Sequence, residues 1–133
     1  MAIDLSKYEQ TVKVKYRKTP LSLFHLDSPA NIRKWMKIYF PHMTEEEHEA
    51  IRDEAYQKQS DLKNLWWRIG NGAFRKLYMR PMHASDYKVS GIGREEFPET
   101  VKAELRKIVL EEAQYHAIWH AHDLMLPKRK RRF

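Results

Sequence analysis

The chain has 133 residues and no cysteine, which excludes a disulfide framework and any thiolate metal site. Its formal charge is +7, from 25 Lys and Arg against 18 Asp and Glu, an excess that favours polyanionic partners. No run approaches the roughly 20 apolar residues of a membrane span, and the opening MAIDLSKYEQ lacks the basic-then-apolar order of a signal peptide.

These features predict a soluble, cytoplasmic protein, with a nuclear location open in a eukaryotic host. Residues 1–127 are expected to form one helical domain and 128–133 a basic tail.

Residues 11–17, TVKVKYR, alternate Val12, Val14 and Tyr16 with Lys13, Lys15 and Arg17, the pattern of a half-buried strand with a basic outer face. Pro20 is expected to end it, and the apolar LSLFHLD that follows fits no type. Ser28 then offers an N-cap ahead of Pro29, opening a helix to Phe40. Ile32, Trp35, Met36, Tyr39 and Phe40 form its apolar face, and Arg33, Lys34 and Lys37 its solvated one.

Thr44 to Glu47, TEEE, is a capping box with acids at the positive end of a helix. His48, Ile51, Ala55, Lys58, Leu62, Leu65 and Ile69 then recur at threes and fours, a stripe suited to helix packing with Lys58 as its flaw. Gly70-Asn71-Gly72 reads as a break. Beyond it, residues 73–80 are expected to form a short separate helix, and 86–90, DYKVS, a strand that pairs with the first.

The last helix runs through FPETVKAELRKIVLEEAQYHAIWHAHDLM, opened by Pro98 and Glu99 and closed by Pro127. With Val101 at zero and ~100° per residue, Leu105, Ile108, Val109, Tyr115 and Trp119 share its core side. Glu112, His116, His120 and Asp123 fall on or beside that same side, and His122 points elsewhere, toward solvent. The predicted architecture is mainly α: a small bundle of three to four helices with at most a minor two-stranded β element.

Three features carry chemistry. The ridge of Glu112, His116, His120 and Asp123 has the i, i+4 and i, i+3 spacing that lets two imidazoles reach one divalent ion, or sets a histidine beside a carboxylate as general base. His116 and His120 would be the metal ligands. A buried polar network is the competing explanation, and it is the expected one, so no cofactor is expected.

The tail Lys128, Arg129, Lys130, Arg131 and Arg132 suits phosphate contact, against the alternative of a disordered, solubilising end. Its removal is expected to weaken nucleic-acid binding and change folding little. Lys63, Trp67, Arg68, Arg75, Lys76 and Arg80 interleave cations with aromatics, a combination that tracks a phosphate backbone and stacks on bases. Trp67 equally suits packing against another helix.

Gly70-Asn71-Gly72 and Gly91-Ile92-Gly93 read as turns and lack a Walker lysine, and no Gly-x-Ser-x-Gly elbow is present. The composition resembles that of nucleoprotein subunits and phage-encoded accessory proteins. The function expected from the sequence is therefore non-enzymatic binding of RNA or DNA. A metal-dependent hydrolase or nuclease built on the ridge is the alternative, and a protein-interaction subunit the third reading.

Overall fold

The computed structural model describes residues 3–14, 17–26, 28–81, 83 and 97–132, and only the backbone of 10–21. Its main elements are β1 (Glu9–Val14), β2 (Arg17–Ser22), α1 (Pro29–Tyr39), α2 (Glu45–Tyr78) and α3 (Glu99–Leu124). Single 3-10 turns lie at Leu5–Tyr8, Leu23–His25 and Lys128–Lys130. The protein is mainly α-helical, with a two-stranded hairpin as the β element among the described residues. No helix among the described residues is long and apolar enough to cross a membrane.

The hairpin is antiparallel, with Glu9 opposite Ser22 and Val14 opposite Arg17. The partner of the first strand is therefore the segment just after it, and Pro20 lies inside β2 instead of ending a strand. The expected pairing segment, 86–90, lies outside the described residues, as do the side chains that would test the alternation of 11–17. LSLFHLD resolves into the end of β2 and a 3-10 turn.

The carbonyl of Ser28 accepts the first α1 hydrogen bond, from Ile32, although the Ser28 side chain makes no cap bond. At the start of α2 the capping box is complete: Thr44 Oγ1 accepts from the Glu47 amide at 3.2 Å, and Glu47 Oε1 from the Thr44 amide at 3.1 Å.

The expected break at Gly70-Asn71-Gly72 is absent, and α2 runs on for 34 residues. Each helical glycine costs about 1 kcal/mol relative to alanine. Against that, Phe74 beyond the glycines and Trp66 before them are both buried in one core, and a fully buried large side chain contributes roughly 1.5–3 kcal/mol. Burial outweighs the local preference, so residues 73–78 extend α2 instead of forming a fourth helix. The helix ends with Met79 in the left-handed conformation (φ 57°), its amide donating to the Arg75 carbonyl.

The chain forms two compact units, and α2 and α3 each contribute a length to both. The first unit comprises Met1–Gln57 and Gln114–Phe133. Its core gathers Tyr8, Leu23, Ile32, Trp35 and Met36 with Ile118, Trp119 and Leu124. Tyr8 stacks on Trp35 at 6.2 Å between ring centroids and meets Phe40 at 5.5 Å. The second unit, Lys58–Ala113, packs Trp66 and Phe74 against Phe97, Leu105 and Ile108.

Candidate functional site

The end of α3 is enclosed on nearly every side. Ile118, Trp119, Ala121, His122, Asp123 and Leu124 are all buried, and only His120 in that run reaches solvent in part. His122, expected to be exposed, has no accessible surface. A one-sided helical projection fails there because this turn is surrounded, not laid on a surface.

His122 and Asp123 organise the buried polar groups of the first unit. His122 Nε2 lies 2.8 Å from Tyr8 Oη, and its Nδ1 lies 2.8 Å from His48 Nδ1. At the link between the two Nδ1 atoms one must donate and the other accept, so at least one ring is neutral. Burial, with the neighbouring His48 second, pushes the His122 pKa down to about 3. Burial also lowers His48, against the opposing charge of Glu47, and it raises the Tyr8 hydroxyl. The chain Tyr8–His122–His48 thus fastens the N-terminal segment, α2 and α3 together.

Asp123 is equally inaccessible, and its Oδ1 accepts from Arg52 Nη1 at 3.1 Å and from the Arg132 amide at 2.9 Å. Arg52 Nη1 also donates to the Lys130 carbonyl at 2.6 Å. Arg131 Nε donates to the Leu126 carbonyl at 2.8 Å, just past the end of α3.

The basic segment is therefore folded onto the first unit, not a free end. Lys130 Nζ lies 2.8 Å from Glu45 and 3.4 Å from Glu49. The Arg132 guanidinium sits 3.8 Å from Asp53 and 4.1 Å from the centre of the Tyr56 ring. Lys128 and Arg129 are exposed, Arg129 making one long contact to Glu45 at 3.9 Å. The backbone of this segment satisfies Asp123 and Arg52, which argues against the expectation that removing it changes folding little.

The ridge divides between the two units, and His116 and His120 share Trp119 as a ring neighbour. Glu112, in the second unit, accepts from Gln59 Nε2 at 2.8 Å and lies 3.7 Å from Lys63 Nζ. His116 is exposed and edge-on to Trp119, while His120 is half-buried, its pKa lowered by burial and then by His116. Their ring centroids are 6.2 Å apart. Asp123 is the carboxylate committed to Arg52. Among the described residues no three His, Asp or Glu side chains form a group that could hold a metal ion.

The third feature lies on α2 in the second unit. Lys63 is 61% exposed and Trp67 37%, and Arg68, Arg75 and Lys76 are exposed. Trp67, Asn71, Arg75 and Tyr78 follow one another by four, four and three residues, so they share one helix face. Trp66, the other half of the tandem pair, is in the core. Arg80 packs over the Phe74 ring at 4.7 Å and donates to the Pro81 carbonyl.

Charge is sorted along this helix. Residues 45–57 carry Glu45, Glu46, Glu47, Glu49, Asp53 and Glu54 against Arg52 alone. Residues 58–78 carry Lys58, Lys63, Arg68, Arg75 and Lys76 against Asp61 alone. Among the described residues no carboxylate pairs with Arg68, Arg75 or Lys76.

Sequence reasoning placed His48 on the packing stripe, where it is buried, but missed Arg52 and His122 as polar core residues. The available signal was charge spacing: no Lys or Arg occurs between Lys107 and Lys128, which suits an enclosed helix end. Comparison with protein-family models, with curated proteins and with solved structures finds no match.

Proposed function

We propose that this chain is a non-enzymatic nucleic-acid-binding protein, acting as an accessory or subunit in a nucleoprotein assembly. The binding face is carried by residues 63–78 of α2, with Arg80 just beyond the helix end. One observation carries this reading: Arg68, Arg75 and Lys76 are exposed without a carboxylate partner among the described residues, beside exposed Trp67 and Tyr78. Cations held on a rigid helix neutralise phosphates and release counterions, while aromatic rings at the same face stack on bases. Lys63 and Arg80 flank the face, and Lys128 and Arg129 are a separate pair of exposed cations in the first unit.

The buried groups of the first unit support a structural role. Their imidazoles are hydrogen-bonded to each other and to Tyr8, and Asp123 is neutralised by Arg52. A protein-interaction role is the second reading, favoured by one observation: Leu77, Tyr78 and Met79 are all exposed at the end of α2, Met79 by 87%.

The test is titration of single- and double-stranded DNA and RNA oligonucleotides across about 50–200 mM salt. Affinity is expected to fall linearly with salt on logarithmic axes, with a slope of at least about −2 for three engaged phosphates. Absence of salt-dependent binding to any of the four nucleic acids contradicts the reading. Capture of a protein partner through Leu77, Tyr78 and Met79 without nucleic acid would replace it.

A further inference from the structure

Glu45, Glu49 and Asp53 recur every four residues on α2, which spaces them about 6 Å apart along the axis. They form an anionic ladder on one side of the helix, and the segment that lies along it is the chain's own Lys130–Arg131–Arg132. Lys130 bridges the first two carboxylates, at 2.8 and 3.4 Å, and Arg132 reaches the third at 3.8 Å. A hydrogen bond from Lys130 holds the Glu45 carboxyl below its ordinary range, and the same bond raises Lys130.

We propose that this acidic ladder is an internal stand-in for a polyanion, so that the ladder and nucleic acid compete for the same C-terminal cations. The inference rests on the nucleic-acid reading above and adds its regulation: the basic segment is latched shut until a denser polyanion draws it away.

The geometry divides the five cations accordingly. Lys128 and Arg129 are exposed and offer the first contact, Arg129 with only a long contact to Glu45 at 3.9 Å. Lys130 and Arg132 are withheld, in pairs that remain about one-third to one-half exposed. Ion pairs that open to water are weak and are screened by salt, which is what a reversible latch requires. Arg131 serves the carbonyls of Leu124 and Leu126 instead. The backbone links from Lys130 and Arg132 to Arg52 and Asp123 set the resting position of the segment.

The test compares two variants of equal charge: Glu45→Gln with Glu49→Gln, and, as control, the exposed pair Glu46→Gln with Glu104→Gln. Both are measured with a single-stranded oligonucleotide and with inorganic polyphosphate, and by the rate of tryptic cleavage within 128–132 in the absence of either. The ladder variant is expected to bind both polyanions about three- to tenfold more tightly than the control, with a salt slope steeper by about 0.7 for the freed lysine. Its C-terminal segment should also be cleaved several-fold faster.

Equal affinities for ladder variant and control, or unchanged cleavage, overturn the latch. Repeating the polyphosphate comparison with Arg68, Arg75 and Lys76 changed to Gln separates the two ideas. If the latch is right, the ladder variant gains affinity there too, whether or not those three residues bind nucleic acid.

Discussion

In the first unit the acids of α2 lie beneath a basic segment, a buried arginine and a pair of neutral imidazoles. In the second unit Arg68, Arg75 and Lys76 stand exposed with no carboxylate beside them among the described residues. In the first unit Arg52, Lys130 and Arg132 are consumed in holding stretches of chain together. In the second, Lys63, Lys102 and Arg106 meet carboxylates, whereas Arg68, Arg75 and Lys76 are left over among the described residues. Leftover charge on a helix is what a polyanion can use. The comparison shows why net charge is a poor guide by itself: the densest basic run in the sequence is mostly occupied, while a sparser set is available.

The comparison breaks most severely if the polar core of the first unit is removed. Asp123→Ala removes the buried one of the carboxylates that Arg52 meets, with Asp53 at 3.0 Å remaining. It also removes the acceptor of the Arg132 amide, and a loss of about 3 kcal/mol in a denaturant melt is expected. A loss under 1 kcal/mol would mean that Asp123 does not hold the unit together.

Removing residues 128–133 is expected to cost less, about 1–3 kcal/mol, through the hydrogen bonds that Asp123 and Arg52 then lack. An unchanged melting temperature would return the segment to the status of a free tail.

Acid sharpens the same contrast. His122 and His48 titrate below their unfolded value of 6.5, so the unfolded chain takes up protons first as pH falls. Their contribution is complete above pH 6.5 and is lost as pH drops through that value toward about 3, where His122 itself titrates. Melting temperature should therefore already decline between pH 6.5 and 4.5, above the range where carboxylates such as Glu45 and Glu47 protonate. In His122→Gln the slope across that window should shrink. A flat profile in the unaltered protein contradicts the buried neutral pair.

Helix positions and the capping box were legible in the sequence because they rest on local chemistry: proline at a first turn, Thr44 with Glu47, and apolar residues at threes and fours. The continuity of α2 was not, because two glycines argue locally for a turn and only the distant Phe97, Leu105 and Ile108 argue against it. The candidate residues on α2 were readable as exposed cations and aromatics. The partners of Asp123 were not, since Arg52 and Arg132 lie 71 and 9 residues away in sequence and nothing in the spacing links them. His122 was misplaced for the same reason: its neighbours Tyr8 and His48 come from elsewhere in the chain.

The smallest expected effect concerns the second unit. A Cβ at Gly72 would meet nothing within 4 Å, so Gly72→Ala should raise stability by about 0.5–1 kcal/mol if α2 is continuous there. Destabilisation would restore the turn that the glycines suggest.

The most direct measurement compares two sets of cations of equal number, Arg68, Arg75 and Lys76 on α2 and Arg33, Lys34 and Lys37 on α1, each changed to Gln. Binding to a single-stranded oligonucleotide is followed across a salt series. The α2 variant is expected to lose at least about tenfold in affinity and about 2 units of salt slope, while the α1 variant stays near the unaltered protein. Equal losses in both would show that binding follows net charge alone and would contradict a defined face on α2.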